Sequence, residues 1–252
     1  MKKRLVTSAL PYVNNIPHLG NIVGSVLSAD VFARYCRLKG KETLFVCGSD
    51  EHGTATETKA REQGVTPKEL CDKYYSLHKE IYEWFEISFD IFGRKSKKNH
   101  HEVTQELFKN VRENGFIKQD AVIQPFCKQC ETFLADRFII GKCPHCEYDD
   151  ARGDQCDSCG KLLNPQELPE PRCKVDGTTP EFKETEHLFL KLDTLQPFLE
   201  KWFQHASKKG FWTDNAIRTT KAWFAEGLQK RAISRDLKWG IPIPHKGFED
   251  KV

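Results

Sequence analysis

Apolar and polar positions fall into alternating short and long blocks through the first half of the chain. Leu5-Val6 is a brief apolar run, and from Ile22 the residues Val23, Val26, Leu27, Val31, Tyr35 and Leu38 keep helical spacing until Gly40. The pattern predicts a strand, a turn, and a helix beginning near Gly20. Thr43 to Cys47 reads as a second, buried strand. Thr66-Pro67-Lys68-Glu69 has the form of a capping box with proline at the first helical position, and it opens a helix with Leu70, Tyr74, Leu77, Ile81 and Trp84 on one face. Ser88 to Phe92 reads as a third strand, and Val103, Leu107 and Val111 as a helix that stops at Gly115. Strand and helix in alternation predict an α/β fold with a parallel sheet. Ligands of such sheets bind beyond the carboxyl ends of the strands, where the segments Ala9–Asn21 and Gly48–Gly53 are expected to meet.

From Phe116 the character changes. Residues 125–180 carry seven of the ten cysteines among scattered Gly, Pro and Asp, which predicts a small insert of short strands and knuckle turns. A strand-like run, His187 to Leu192, follows, and then helical patterns over Pro197–Ala206 and Asn215–Gly227. The expected organisation is a first half-domain over 1–115, an insertion over 116–230, and a return to the first domain over 231–252.

At 252 residues, with 30% charged and 38% apolar positions, the chain is long and apolar enough to bury a core. A net charge of +3 permits a nucleic-acid partner without pointing to one. The start MKKRLVTSALP has no signal-peptide apolar core, and no apolar run approaches membrane-spanning length, so the expected setting is cytoplasmic. Paired cysteines in that compartment point to metal ahead of disulfides.

Cys143-Pro-His-Cys146 and Cys156-Asp-Ser-Cys159 form the stronger array. Two thiolates in each tight turn face one ion, and two such turns complete the tetrahedron of a structural zinc. Cys36, Cys47 and Cys71 lie in apolar-periodic segments and read as small buried residues. In ALPYVNNIPHLGN, a turn stiffened by Pro11 and Pro17 delivers His18 to a helix start whose free N–H groups attract anions. Gly20 leaves room for close approach, and His18 and Asn21 stand one turn apart on one face. An ordinary strand-to-helix turn with a solvated histidine is the plain alternative.

ALPYVNNIPHLGN resembles the His-x-Gly-His signature of class I aminoacyl-tRNA synthetases, in the form found in the methionyl-tRNA synthetase family. LFVCGSDEHG, RFIIGKCPHC, GDQCDSCGK and ISRDLKWGIPIP extend the resemblance over nearly the whole chain, with one departure: Asn21 stands where the signature ends in His. The resemblance implies a Rossmann-like nucleotide-binding domain with an inserted zinc-knuckle connective domain. It implies methionine activation by ATP, with Mg²⁺ bridging the phosphates, and transfer to tRNA(Met). His18 and Asn21 would contact the phosphates in the transition state, with Gly20 admitting the nucleotide. Asp50 would hold the substrate ammonium, and Leu10 and Tyr12 would flank the methionine side chain. Arg235 and Asp236 would lie near the active site, or form a simple surface ion pair. Relatives that bind two nested zinc ions suggest that Cys127, Cys130 and Cys173 share a second ion, with Asp176 or water as fourth ligand; an empty knuckle is the alternative. The basic stretch Arg94–Lys98, with His100 and His101, is expected to be a solvated charged face ahead of a tRNA contact. The family's Lys-Met-Ser-Lys-Ser-like loop and helical anticodon-binding domain are not in the sequence, so the expectation is an N-terminal, truncated catalytic portion, inactive or impaired alone.

Three other readings compete. Synthetases for isoleucine, valine or leucine carry much larger editing insertions. A non-catalytic zinc-ribbon module leaves ALPYVNNIPHLGN unexplained, and a small nucleotidyltransferase leaves the knuckles unexplained.

Overall fold

The computed structural model describes residues 3–252. Two compact units divide the chain, one running to Glu106 and taking in Lys238–Pro242, the other comprising Leu107–Leu237 and Ile243–Val252.

The first unit is α/β and Rossmann-like. β1 (Lys3–Thr7), β2 (Glu42–Ser49) and β3 (Ile91–Arg94) form a parallel sheet in the order β1-β2-β3, with Val6 beside Phe45 and Gly48 beside Gly93. The first crossover comprises α1 (Leu19–Asn21), a π-helical segment (Ile22–Leu27) and α2 (Ser28–Leu38). The second comprises α3 (Thr54–Glu62) and α4 (Pro67–Trp84). The capping box at Thr66 and Glu69 is formed in both directions.

The first helical run buries a different face from the one the spacing suggests. Its inward line is Ile22, Val26, Asp30, Ala33 and Cys36, whereas Val23, Val31, Tyr35 and Leu38 are exposed. The wider π turn shifts the phase of the stripe, and a charged residue inside the stripe hides it from a hydrophobicity reading. Asp30 is satisfied there by Ser88 N–H at 2.7 Å and Arg34 Nε at 2.7 Å. Burial works against its ionisation, but those donors outweigh it and hold the carboxyl below its usual range. The same contacts explain why β3 begins at Ile91 rather than Ser88. Ser88 is tied to Asp30, and Asp90 Oδ2 accepts from Phe45 N–H at 2.6 Å and Arg37 at 2.8 Å, so regular pairing starts one residue later.

The unit boundary falls within α5 (Lys98–Glu113), which ends ahead of Gly115 at φ +77°. In the second unit, β4 (Ile117–Cys127) pairs antiparallel with β9 (Glu181–Leu190) from Ile117↔Leu190 to Phe126↔Glu181. Between them lie β5 (Thr132–Phe133), β6 (Ile139–Gly141), β7 (Ala151–Arg152) and β8 (Arg172–Cys173), short strands around the cysteines. Cys127, Cys143, Cys156 and Cys173 are themselves core residues, packed with Leu134, Ile139, Ala151 and Leu168. α6 (Leu192–Lys209) and α7 (Asp214–Glu226, capped by Thr213) follow, and β10 (Arg231–Ala232) pairs with β9. No helix of the described residues is long and apolar enough to cross a membrane.

Candidate functional site

The carboxyl ends of the three parallel strands gather the chemistry of the first unit. Beyond β1, the loop carrying Leu10 and Tyr12 runs beside Asp50. Asp50 N–H donates to Pro11 O at 2.8 Å, Val13 N–H donates to Asp50 O at 3.2 Å, and Tyr12 and Asp50 form a parallel bridge. These bonds extend the sheet one step and fix the Asp50 backbone. Val13 is fully buried and anchors the loop against Ala60, Leu70, Cys71 and Tyr74. His78 Nε2 lies 2.8 Å from Asn15 O and holds the next turn. Leu10 and Tyr12 remain exposed. Leu10 also lines a cleft of about 420 Å³ with Gly48, Ser49, Gly93, Lys95 and Val103. Gly48 keeps the ladder close beside it, because a Cβ there would stand 3.1 Å from Gly93 O.

His18, Gly20 and Asn21 meet at the helix start. His18 caps it: its Nδ1 accepts from Asn21 N–H at 3.3 Å, and Asn21 Oδ1 accepts from His18 N–H at 3.3 Å. A Cβ at Gly20 would stand 3.0 Å from Cε1 and Nδ1 of His18, so glycine makes room for the imidazole itself. Asn21 thus has a structural task that the sequence alone does not reveal. Ser25 Oγ donates to Ala9 O at 3.4 Å and ties the helix to the loop behind Leu10.

The Arg94–Lys98 stretch is not the uniformly solvated face expected of it. Arg94 Nε lies 2.6 Å from Glu51 Oε1 and its NH1 lies 2.7 Å from Asp72, with the guanidinium 4.6 Å from the Tyr75 ring centre. Glu51 also accepts from Ser49 Oγ at 2.7 Å and Ser96 N–H at 3.2 Å. Lys95 Nζ lies 2.8 Å from Asp50 Oδ1, and only further along is Lys98 fully in solvent. Trp239 Nε1 donates to Glu51 O at 2.7 Å, and its ring meets His52 edge-on at 5.7 Å. Burial first, then the charge of Lys95, lowers the His52 pKa to about 4. Sequence reasoning missed Glu51 and Trp239; the one signal was an acidic residue wedged between Asp50 and His52.

Both cysteine groups close in space. Cys143, Cys146, Cys156 and Cys159 present sulfurs within 4.8 Å of one another, with pairs at 3.8 Å (Cys143–Cys159) and 3.7 Å (Cys146–Cys156). A tetrahedral ion with Zn–S bonds of about 2.3 Å requires sulfur pairs about 3.8 Å apart, so these residues fit zinc. Desolvation opposes ionisation of Cys143, but backbone N–H groups of His145 and Cys146 bring its pKa down to about 7. Cys127, Cys130, Cys173 and Asp176 form the second group, with the Asp176 carboxylate 3.0 and 2.9 Å from the first two sulfurs. Those are thiol-to-carboxylate hydrogen-bond separations, and the two thiols and Thr178 hold the Asp176 carboxyl well below its usual range. A mixed S₃O donor set is compatible with zinc, though less common than S₄.

Arg235 and Asp236 are not paired with each other. Arg235 NH1 donates to the carbonyls of Ala232 and Ser234, at 2.9 and 2.6 Å. Asp236 instead binds Lys251 and Thr185 and lies 2.9 Å from His187 Nε2, in a buried polar knot.

A parallel sheet whose first strand runs through a loop into a helix start in one unit, with two groups of knuckled cysteines in the other, is the composition of a class I aminoacyl-tRNA synthetase. Comparison agrees: residues 4–252 match the family described as "tRNA synthetases class I (M)", and the chain belongs to that family. It is 56% identical over 252 residues to a methionine–tRNA ligase of Treponema denticola, covering 100% of this chain and 32% of the relative. It is also 56% identical over 248 residues to the cytoplasmic methionine–tRNA ligase of Homo sapiens, covering 98% of this chain and 28% of that one. The chain therefore spans about a third of the length of the curated relatives it matches. The fold is similar to that of Mycobacterium tuberculosis methionyl-tRNA synthetase in complex with methionyl-adenylate, with TM-score 0.74 at 24% identity, covering 100% of this chain and 44% of that one.

Proposed function

We propose that this chain carries the amino-acid activation site of a methionine–tRNA ligase. The methionine carboxylate attacks the α-phosphorus of ATP, pyrophosphate leaves, and the methionyl group passes from the adenylate to a terminal ribose hydroxyl of tRNA(Met). The observation that carries the reading is one loop with two ends. At one end Tyr12 runs beside Asp50 and Leu10 packs at Gly48, and at the other His18 and Asn21 cap a helix start. Asp50 receives the substrate ammonium, Leu10 and Tyr12 bound its thioether, and His18, Gly20 and Asn21 face the phosphates. Such phosphoryl chemistry asks mainly for in-line placement and charge compensation, which an oriented helix start supplies. Mg²⁺ is carried in on the nucleotide. Cys143, Cys146, Cys156 and Cys159 hold a structural zinc, and Cys127, Cys130, Cys173 and Asp176 hold a second. Relatives named as cytoplasmic support the same compartment for this protein.

The test is ATP–pyrophosphate exchange by a chimera in which these 252 residues replace the matched segment of the Treponema denticola relative. Methionine-dependent exchange is expected, lost with Asp50→Asn. Exchange driven by isoleucine, valine or leucine instead would leave the class and overturn the specificity.

A further inference from the structure

Asp50 pairs along the backbone with the exposed Tyr12, and its carboxylate already holds a cation. In the β2–β3 register Ser49 faces Arg94, so the next residues, Asp50 and Lys95, leave the sheet side by side. Lys95 N–H donates to Ser49 O at 3.3 Å, and its Nζ reaches Asp50 Oδ1 at 2.8 Å. The pair is partly enclosed, with the lysine side chain 30% exposed and the aspartate 18%. The adjacent cation is arranged differently. Arg94 is locked between Glu51 and Asp72 and stacked on Tyr75, whereas Lys95 has a single anionic partner and an open way to solvent. Among the described residues no other donor reaches the Asp50 carboxylate.

We infer that Lys95 is a built-in ammonium that occupies the carboxylate of Asp50 until the substrate's own ammonium displaces it. This rests on the reading of Asp50 given above. The two groups are chemically alike: each is a compact, strongly hydrated –NH₃⁺ with three donors. A carboxylate fixed through its backbone cannot move to serve both in full, so one leaves or the two share it at mutual repulsion. Lys95 lies on a flexible four-carbon stem and can swing away. It is therefore a positioning residue: it keeps the Asp50 carboxylate aimed, and it sets how strongly a ligand must compete. Ligands without an ammonium group gain nothing from its departure, so the exchange also selects for amino acids over their deaminated analogues.

In the chimera, Lys95→Met is expected to lower the methionine KM about three- to tenfold, the scale of a partly exposed ion pair, with a smaller effect on kcat. Methioninol, which keeps the ammonium and lacks the carboxylate, should gain as an inhibitor by the same factor. Lys95→Arg, which restores a pair with Asp50, should return KM toward the parent value. A raised methionine KM with unchanged methioninol inhibition would overturn the proposal, because Lys95 would then be holding the substrate carboxylate. No change in either would overturn it as well. Amine labelling read by mass spectrometry supplies a second measurement on the 252-residue chain: Asp50→Asn should raise the labelling rate of Lys95, and an unchanged rate counts against the pair. Should Asp50→Asn leave methionine KM unaltered while Lys95 labelling rises, the pair stands and the assignment of Asp50 to the substrate is what fails.

Discussion

Arg94 Nε lies 2.6 Å from Glu51 Oε1, and the Glu51 carboxylate is sealed from solvent where β2 ends. The pair joins the ends of two neighbouring strands below the candidate site, and Trp239 closes over the Glu51 backbone. Breaking one side of a buried pair strands the other charge, so Glu51→Gln or Arg94→Met should each cost about 3 kcal/mol. Because the two side chains contact each other directly and the double variant strands neither charge against the other, it should cost less than the sum. Urea denaturation of the four proteins in the cycle checks this, and strict additivity would show the pair to be uncoupled.

Asn21 closes a reciprocal cap with His18, so its replacement reads out twice. Asn21→Ala should destabilise the chain by about 1 kcal/mol through the cap. In the chimera it should also raise the KM for ATP while altering that for methionine much less. A change confined to stability would leave Asn21 a cap and remove it from the phosphate site.

The two cysteine groups differ in donor chemistry, and their metal affinities should differ with it. Zinc analysis of the purified chain should approach two ions. Chelator competition should strip the group containing Asp176 first, and Asp176→Asn should weaken that ion alone. Cys143→Ser should remove the other ion and open the surrounding core, since Cys143 and Cys156 are themselves buried with Ile139 and Leu168. Loss of both ions together at one chelator concentration would contradict independent sites.

His52 titrates below its ordinary value of 6.5, at about 4, chiefly because burial disfavours the imidazolium. The unfolded chain therefore binds the proton more readily than the folded one. The stability this histidine contributes is present above about pH 6.5 and declines as pH falls toward 4. A pH series of thermal melts should show His52→Asn flattening that part of the curve, and an unchanged slope would place the acid sensitivity elsewhere.

Local signals survived into the structure where a backbone rule stood behind them. The Thr66–Glu69 capping box, the stop at Gly115 and the closeness of the CxxC turns each follow from spacing alone. What stayed hidden depends on partners distant in sequence. Asp30 looks polar and therefore outward until Ser88 and Arg34 are seen around it, and that misplaced the buried face of the first helical run. β4 carries Lys118, Gln119, Asp120 and Pro125, which obscure an eleven-residue strand that only the β9 register explains. Lys95 read as one charge in a basic run, and nothing local marks Asp50 as its partner.

The central claim is that one loop and the strand ends beside it hold both halves of methionyl-adenylate. A crystal structure of this chain with a non-hydrolysable methionyl-adenylate analogue tests it most directly. The account predicts the analogue's ammonium on Asp50 with Lys95 turned away, its thioether between Leu10 and Tyr12, and its phosphate mimic over the His18–Asn21 helix start. An analogue seated instead in the cleft between Gly48, Gly93 and Val103, with the Asp50–Lys95 pair intact, would contradict it.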